Sequence, residues 1–352
     1  MKMKYMPKYI RMAAGLLLLY SAASCTYDYF EDENNCWIYV PQVENGTIRD
    51  FYIAFHDQAG GHMRSSHIYA PFDKNELMQQ GKLRFKLKPG ETQVTCFAQA
   101  GNMPISQGLP YGESYISAQP VEGAEHTFMP VSTAPGPNTQ SRSEGSAKTD
   151  PTQLRFLKTR LSLPPIGHPD AKKEHPIDID EKQAYNGKII NEFKKLGGLR
   201  ISRIEIRYTG LATRLSFDGG FGNFTPQDKM QVSYELAASG QSGPDYTFGE
   251  SYFPSSGYDI NTPEAPETTL TPLRVDAYFY EGNDLIGWFS FDSANPNDGG
   301  MDAPTDENGN PITGPIYLKP GGQLRFTYKG FTIVSIELSD WGDIGTGGTT
   351  DM

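Results

Sequence analysis

The chain has 352 residues, a formal net charge of −11 and 12% aromatic side chains. An acidic chain rich in Gly, Pro, Tyr and Phe lacks the basic footprint that nucleic-acid binding needs. The aromatic content suffices for a folded core, and the length suits two domains or one large β-domain.

Lys2, Lys4, Lys8 and Arg11 open the chain without an acid, an apolar run covers residues 12–20, and small residues fill 21–24. This is the layout of a secretory signal. The apolar run is about half of the roughly 20 residues that a bilayer-spanning helix needs, so a lasting helical anchor is not expected. Cys25 follows at once. Leu18, Ala22, Ala23, Ser24 and Cys25 resemble a loose bacterial lipobox, whose cysteine is diacylated and becomes the mature N-terminus. Serine before that cysteine is similar to lipoproteins of Bacteroidetes. Two acyl chains hold a folded domain on a membrane where one would not. The competing reading is a secreted protein with Cys25 free or paired.

Residues 1–24 are therefore expected to be a lipoprotein signal peptide, and residues 25–35 an acidic tether bearing Asp28, Glu31, Asp32 and Glu33. Acids in this place suit a solvated linker, and they also resemble a signal that routes such lipoproteins to the cell surface. Removing residues 1–24 takes away four positive charges and no acid, so the net charge moves from −11 to −15.

Three cysteines in an exported chain suggest one special residue and one pair. With Cys25 lipidated, Cys36 in CWIYV and Cys96 in TQVTCFAQA remain. Neighbouring strands would place them in reach of a disulfide, worth ~4 kcal/mol on the loop-entropy model. The alternative is two buried thiols that never meet.

Alternation dominates the rest. Phe51, Ile53 and Phe55 share one face of DFYIAFHD, the period of a half-buried strand. Leu83, Phe85 and Leu87 alternate with basic residues, and Pro89-Gly90 then turns the chain into a second strand, which reads as a hairpin. Further strands are expected at 155–163, 199–208, 230–236, 273–280, 285–291 and 323–338. Two short helices are expected. One starts at the capping-box-like Asp73 to Glu76 and stops at Gly81; the other carries Ile189, Ile190, Phe193 and Leu196 before Gly197-Gly198. Residues 132–153 and 295–314 read as long surface loops. Leu87-Lys88-Pro89-Gly90 is echoed by Leu318-Lys319-Pro320-Gly321. Echo and length together predict tandem β-sandwiches over 36–218 and 219–352, divided where Gly219, Gly220 and Gly222 interrupt the pattern.

Catalytic patterns are missing. Ser242 and Ser251 lack the glycine spacing of a nucleophile elbow, and GGFGNF lacks that of a phosphate loop. His56, His62 and His67 lie close in sequence with Asp57. On one regular strand His62 and His67 would face opposite ways, whereas His56 and His62 could meet across Gly60-Gly61. Asp306, Asn308, Gly309 and Asn310 have some of the features of a calcium loop, but the glycine comes one position early and no bidentate Glu follows. Neither set is taken as a metal site, and no cofactor is expected. Tyr246, Phe248, Tyr252, Phe253 and Tyr258 could form a sugar-stacking platform, though aromatics on alternating strands are more often core.

A lipobox-type Cys25, Cys36 in NNCWIYV, the Leu-Lys-Pro-Gly turn leading into CFAQAGN, tandem β-regions and a last strand ending in SIELSDW together resemble the FimB-type fimbrial anchor subunits of Bacteroidetes, a fimbrillin-related family. The resemblance is strongest over residues 25–101; no motif matches 132–153 or 172–195. It implies an all-β chain of two tandem transthyretin-like sandwiches without enzymatic activity. It further implies a palmitate-type lipid anchor at the cell-surface outer membrane, and attachment of a fimbria whose assembly the subunit ends by β-strand addition to neighbouring fimbrial subunits. The alternatives are a surface glycan-binding lipoprotein and an accessory or tip fimbrial subunit.

Overall fold

The computed structural model describes residues 33–340, except 42–47, 49, 70–77, 80–81, 101–102, 107, 118–153, 180–183, 195, 197–198, 223–229, 237–245, 263–266 and 297–302. The signal peptide, Cys25, the loop at 132–153 and the first expected helix down to residue 77 lie outside these residues.

The first sandwich packs two four-stranded sheets. One has the order β4 (Met78–Gln79), β5 (Lys82–Phe85), β1 (Cys36–Tyr39), β9 (Glu174–Pro176). The other has the order β3 (His62–Tyr69), β2 (Asp50–Asp57), β6 (Gly90–Ala98), β8 (Arg155–Leu163). Cys36, Ile38, Leu83 and Phe85 of the first sheet meet Phe51, Ile53, Phe55, Val94 and Cys96 of the second in one apolar core. Phe55 and Phe85 touch across it, with ring centroids 4.7 Å apart.

The second sandwich pairs the sheet β15 (Tyr246–Tyr252), β10 (Gly187–Lys194), β18 (Gly322–Lys329), β19 (Thr332–Asp340) with the sheet β14 (Met230–Glu235), β11 (Arg203–Thr209), β16 (Arg274–Glu281), β17 (Asp284–Asp292). A small sheet of β13 (Phe221–Gly222), β12 (Arg214–Ser216) and β7 (Tyr115–Ser117) lies at the junction. The chain is thus all-β and built as tandem sandwiches.

Four expectations change. The boundary does not fall at 218/219, because β10 and β11 pair with β15, β18, β14 and β16. The glycine-marked stretch forms β12 and β13, which close the junction. The second expected helix is β10, paired in parallel with β18 and antiparallel with β15. β10 turns Gly187, Ile189, Asn191 and Phe193 inward, and Ile190 adds one apolar side chain to the charged outward face of Lys188, Glu192 and Lys194, which together with Ile189 and Phe193 mimics helical spacing. Pro89-Gly90 does not make a hairpin: β5 pairs with β1 and β4, while β6 pairs with β2 and β8, so the turn carries the chain from one sheet to the other. Lastly, β2 is buried on both faces, because Tyr52, Ala54 and His56 lie under Phe217 and its neighbours.

The echoed turns have matching places. Leu87 and Leu318 are both buried, and each Pro-Gly leads into an inner strand, β6 or β18. The stretch read as one strand at 323–338 is the hairpin of β18 and β19, turning at Gly330 with φ +62°.

Candidate functional site

The described chain enters the fold through a clamp. Glu33 pairs with Lys86 at 2.9 Å on the surface. Two residues later Asn35 is 1% exposed and spans the sandwich. Its Nδ2 donates to the Pro164 carbonyl at 2.8 Å, its Oδ1 accepts from the Leu87 N–H at 2.9 Å, and its own N–H donates to the Phe85 carbonyl. Leu87 follows β5 in one sheet and Pro164 follows β8 in the other, so this single amide ties the two sheets where the chain enters. The chain continues directly into β1, an inner strand bonded antiparallel to β5 and parallel to β9. Arg84 lies over Trp37 at 4.4 Å and covers the outer face of β1. Asn35 falls in the stretch expected as tether, and an Asn just before a strand is a weak signal, because its partners lie 52 and 129 residues away.

Cys36 and Cys96 face the same core from opposite sheets, and both are free, buried thiols. Burial pushes the Cys36 thiol up to about 12 and the Cys96 thiol higher still. Such thiols are poor nucleophiles and poor metal ligands.

His56 and His62 do meet across the turn, with ring centroids 5.5 Å apart. A bulge between Phe55 and His56 shifts the register, pairing His62 with His56 and His67 with Tyr52. His62 and His67 therefore share a face, contrary to the regular-strand expectation. His56 and His67 have partners within the fold, whereas Nδ1 of His56 and Nε2 of His62 are buried without one among the described residues. His56 contacts the Leu109 carbonyl at 3.2 Å, and burial holds its pKa below the usual value. His67 contacts Asp50, and Asp57 accepts from the N–H groups of Ala59 and Gly61. Among the described residues no three His, Cys, Asp or Glu side chains converge on one point.

Asp306 closes an Asx turn: its Oδ1 accepts from the N–H groups of Asn308 and Asn310 at 2.9 and 2.8 Å. Those bonds hold its carboxyl below the usual range. The loop covers part of an edge, since Thr305 exchanges backbone bonds with Val334 and Ile336 of β19.

The aromatics expected as a platform are core: Tyr246, Phe248, Tyr252, Phe253 and Tyr258 are all buried. A partly exposed aromatic face lies on β16 and β17 instead, with Tyr278 and Tyr280 half-buried and Trp288 exposed. Arg203 sits over Tyr280 at 4.3 Å and Arg207 over Tyr278 at 4.8 Å. Beside them on β17, Trp288 is 64% exposed, Leu285 51% and Ile286 36%. A bulge brings Leu285 opposite Tyr280 and Trp288 opposite Tyr278. The sequence showed β17 as a strand, but not that it would lie at an edge.

No family model matches the chain, and no curated protein matches it. Solved structures with a similar course include the fimbrial anchor protein Mfa2 from Porphyromonas gingivalis, at 9% identity and TM-score 0.47, covering 87% of this chain and 97% of that one. A candidate adhesin from Bacteroides thetaiotaomicron gives 9% identity and TM-score 0.44, covering 88% and 97%. Another from Bacteroides ovatus gives 12% and 0.44, covering 80% and 93%.

Proposed function

We propose that the chain is a non-enzymatic, lipid-anchored surface subunit that fastens a fimbria to the outer membrane through Cys25 and joins neighbouring subunits by β-strand addition. The observation that carries this reading is the entry clamp. Tension on a tether ending at Cys25 acts along β1, whose ladder bonds lie across the direction of pull. Force then shears the bonds to β5 and β9 together, and Asn35 couples the second sheet to the same load. An outer strand pulled along its axis would load the ladder to one neighbour only.

The test is Cys25→Ala in the cell that makes the fibre. Protein and fibres are expected in the medium. Fibres that stay on cells while the variant is soluble would overturn the anchor role. Unchanged fibres with impaired growth on glycans would favour the glycan-binding alternative.

A further inference from the structure

Sheet edges in this molecule are treated unequally. β8 carries Lys158 and Arg160 along its length, β9 has three residues and ends in Pro176, and β19 is partly covered by Thr305. These are the usual protections against pairing with another chain. β17 has a bulge at Ile286 but none of these three. Between Asp284 and Asp292 it reads LIGWFSF, without charge or proline. Among the described residues, residues 285–291 make no backbone hydrogen bond outside the ladder with β16. Its first half exposes Leu285, Ile286 and Trp288, and β19, which runs close by, adds exposed Val334 and Leu338.

The free side of this edge is acidic, whereas on its β16 side Arg274 reaches Ser290 and Arg203 and Arg207 stand over Tyr280 and Tyr278. Residues 281–292, 303–316 and 332–340 include Glu281, Asp284, Asp292, Asp306, Glu307 and Glu337, and no Lys, Arg or His. Glu281 has Arg200 and Glu337 has Arg325 within 4 Å, while Asp284 and Glu307 are exposed.

We infer that β17 is the docking edge for an extended strand of a partner subunit, with alternating apolar side chains and basic residues at its ends. The inference rests on the proposed function for the partner being a subunit; the edge and its chemistry rest on the features above. Trp288 is the anchor, since exposed Trp beside Tyr and Arg has the composition of binding hot spots. A sugar platform fits less well. The rings of Tyr278 and Tyr280 are already covered by arginines, and those arginines are held by Glu205 at 3.7 and 3.5 Å.

The test places the photo-crosslinker p-benzoylphenylalanine at Leu285, and separately at Lys158 on β8, in the full chain on fibre-bearing cells. Crosslinks from 285 to an extended, basic-flanked segment of a subunit, mapped by mass spectrometry, are expected, and none from 158. Trp288→Ala with Leu285→Ala should cut fibre attachment about tenfold or more, and Asp284→Lys with Asp292→Lys should weaken it less. Both pairs lie on the surface, and an unchanged melting temperature certifies their fold. Crosslinks from 158 alone, crosslinks from 285 to polysaccharide, or undiminished attachment in the Trp288 variant each overturn the inference. The Cys25→Ala result is read separately: if it releases fibres while residue 285 finds no subunit, only the edge assignment fails.

Discussion

The two sandwiches share an architecture and fill it differently. The first core is dry, built from Ile, Leu, Val and Phe with two cysteines. The second holds a polar hub. Asn191 of β10 donates to the hydroxyls of Tyr208 and Tyr234 at 2.7 and 3.2 Å, and its oxygen accepts from Tyr208 and Tyr328. Glu250 and Tyr252 are bonded nearby in the same interior. The difference follows from how each sheet sets its register. β5 carries an alternating apolar face, Leu83 and Phe85 beside Lys82 and Arg84, that a one-residue slip would expose. β10 turns Ile189, Asn191 and Phe193 inward, and a slip would bring Lys188, Glu192 and Lys194 into the core instead. Asn191 adds a second constraint, because any other register leaves several buried polar groups unpaired.

The largest effect should come from separating the two. Phe217, 1% exposed, packs against Tyr52, His56 and Phe97 of the first sandwich, while its N–H donates to the Ser114 carbonyl and its own carbonyl accepts from Tyr111. Phe217→Ala should cost about 3–5 kcal/mol. Denaturant unfolding should change from one transition to two. A single transition at lower denaturant would show that the sandwiches stay coupled without this plug.

Asn191→Leu removes the hub and strands the tyrosine hydroxyls. A loss of about 3 kcal/mol is expected, confined to the second sandwich. Hydrogen exchange should show it as faster exchange in β10 and β18, with β2 and β6 unchanged. Stability equal to the parent would mean that the hub contributes nothing beyond an apolar filler of similar size.

Asn35→Ala tests the first sandwich at its entry and should cost about 2 kcal/mol. Pulling from the N-terminal side should show a lower unfolding force, while pulling the second sandwich between its own ends should not. Equal forces in parent and variant would remove the mechanical role of the clamp.

Much of this molecule was legible, and the rest failed for physical reasons. Strands with one buried face announced themselves: β8 was bounded to the residue, and β11, β14, β16 and β17 to within a few. What could not be read was pairing. The turn at Pro89-Gly90 looks the same whether its strands are neighbours or lie in facing sheets. β10 has helical spacing because Ile190 adds an apolar side chain to its outward face, and Asn35 resembles linker because its partners are distant in sequence. The buried aromatics at 246–258 and the exposed ones at 278–288 have similar composition. Only the order of strands in the sheets decides which set reaches solvent.

The smallest effect separates the cores by ionisation. Cys36 and Cys96 are held protonated by burial, with folded values far above the ordinary 9.0. The unfolded chain releases these protons as pH passes about 9, while the folded chain keeps them. Unfolding therefore becomes more favourable with rising pH: the stabilisation is complete below pH 9 and is lost as pH climbs towards the folded values. By pH 10 each thiol should account for about 1 kcal/mol of that loss. Tyr208, Tyr234, Tyr252 and Tyr328 of the second core are raised in the same way, from an ordinary value of 10.0. Their contribution starts about one pH unit later and is common to the parent and a Cys36→Ala, Cys96→Ala variant. The variant should be less stable at pH 8, since two core side chains have been trimmed, but its stability should fall less steeply from pH 8 to 10. Parallel slopes would mean that the thiols do not ionise on unfolding, as they could not if they were joined in a disulfide.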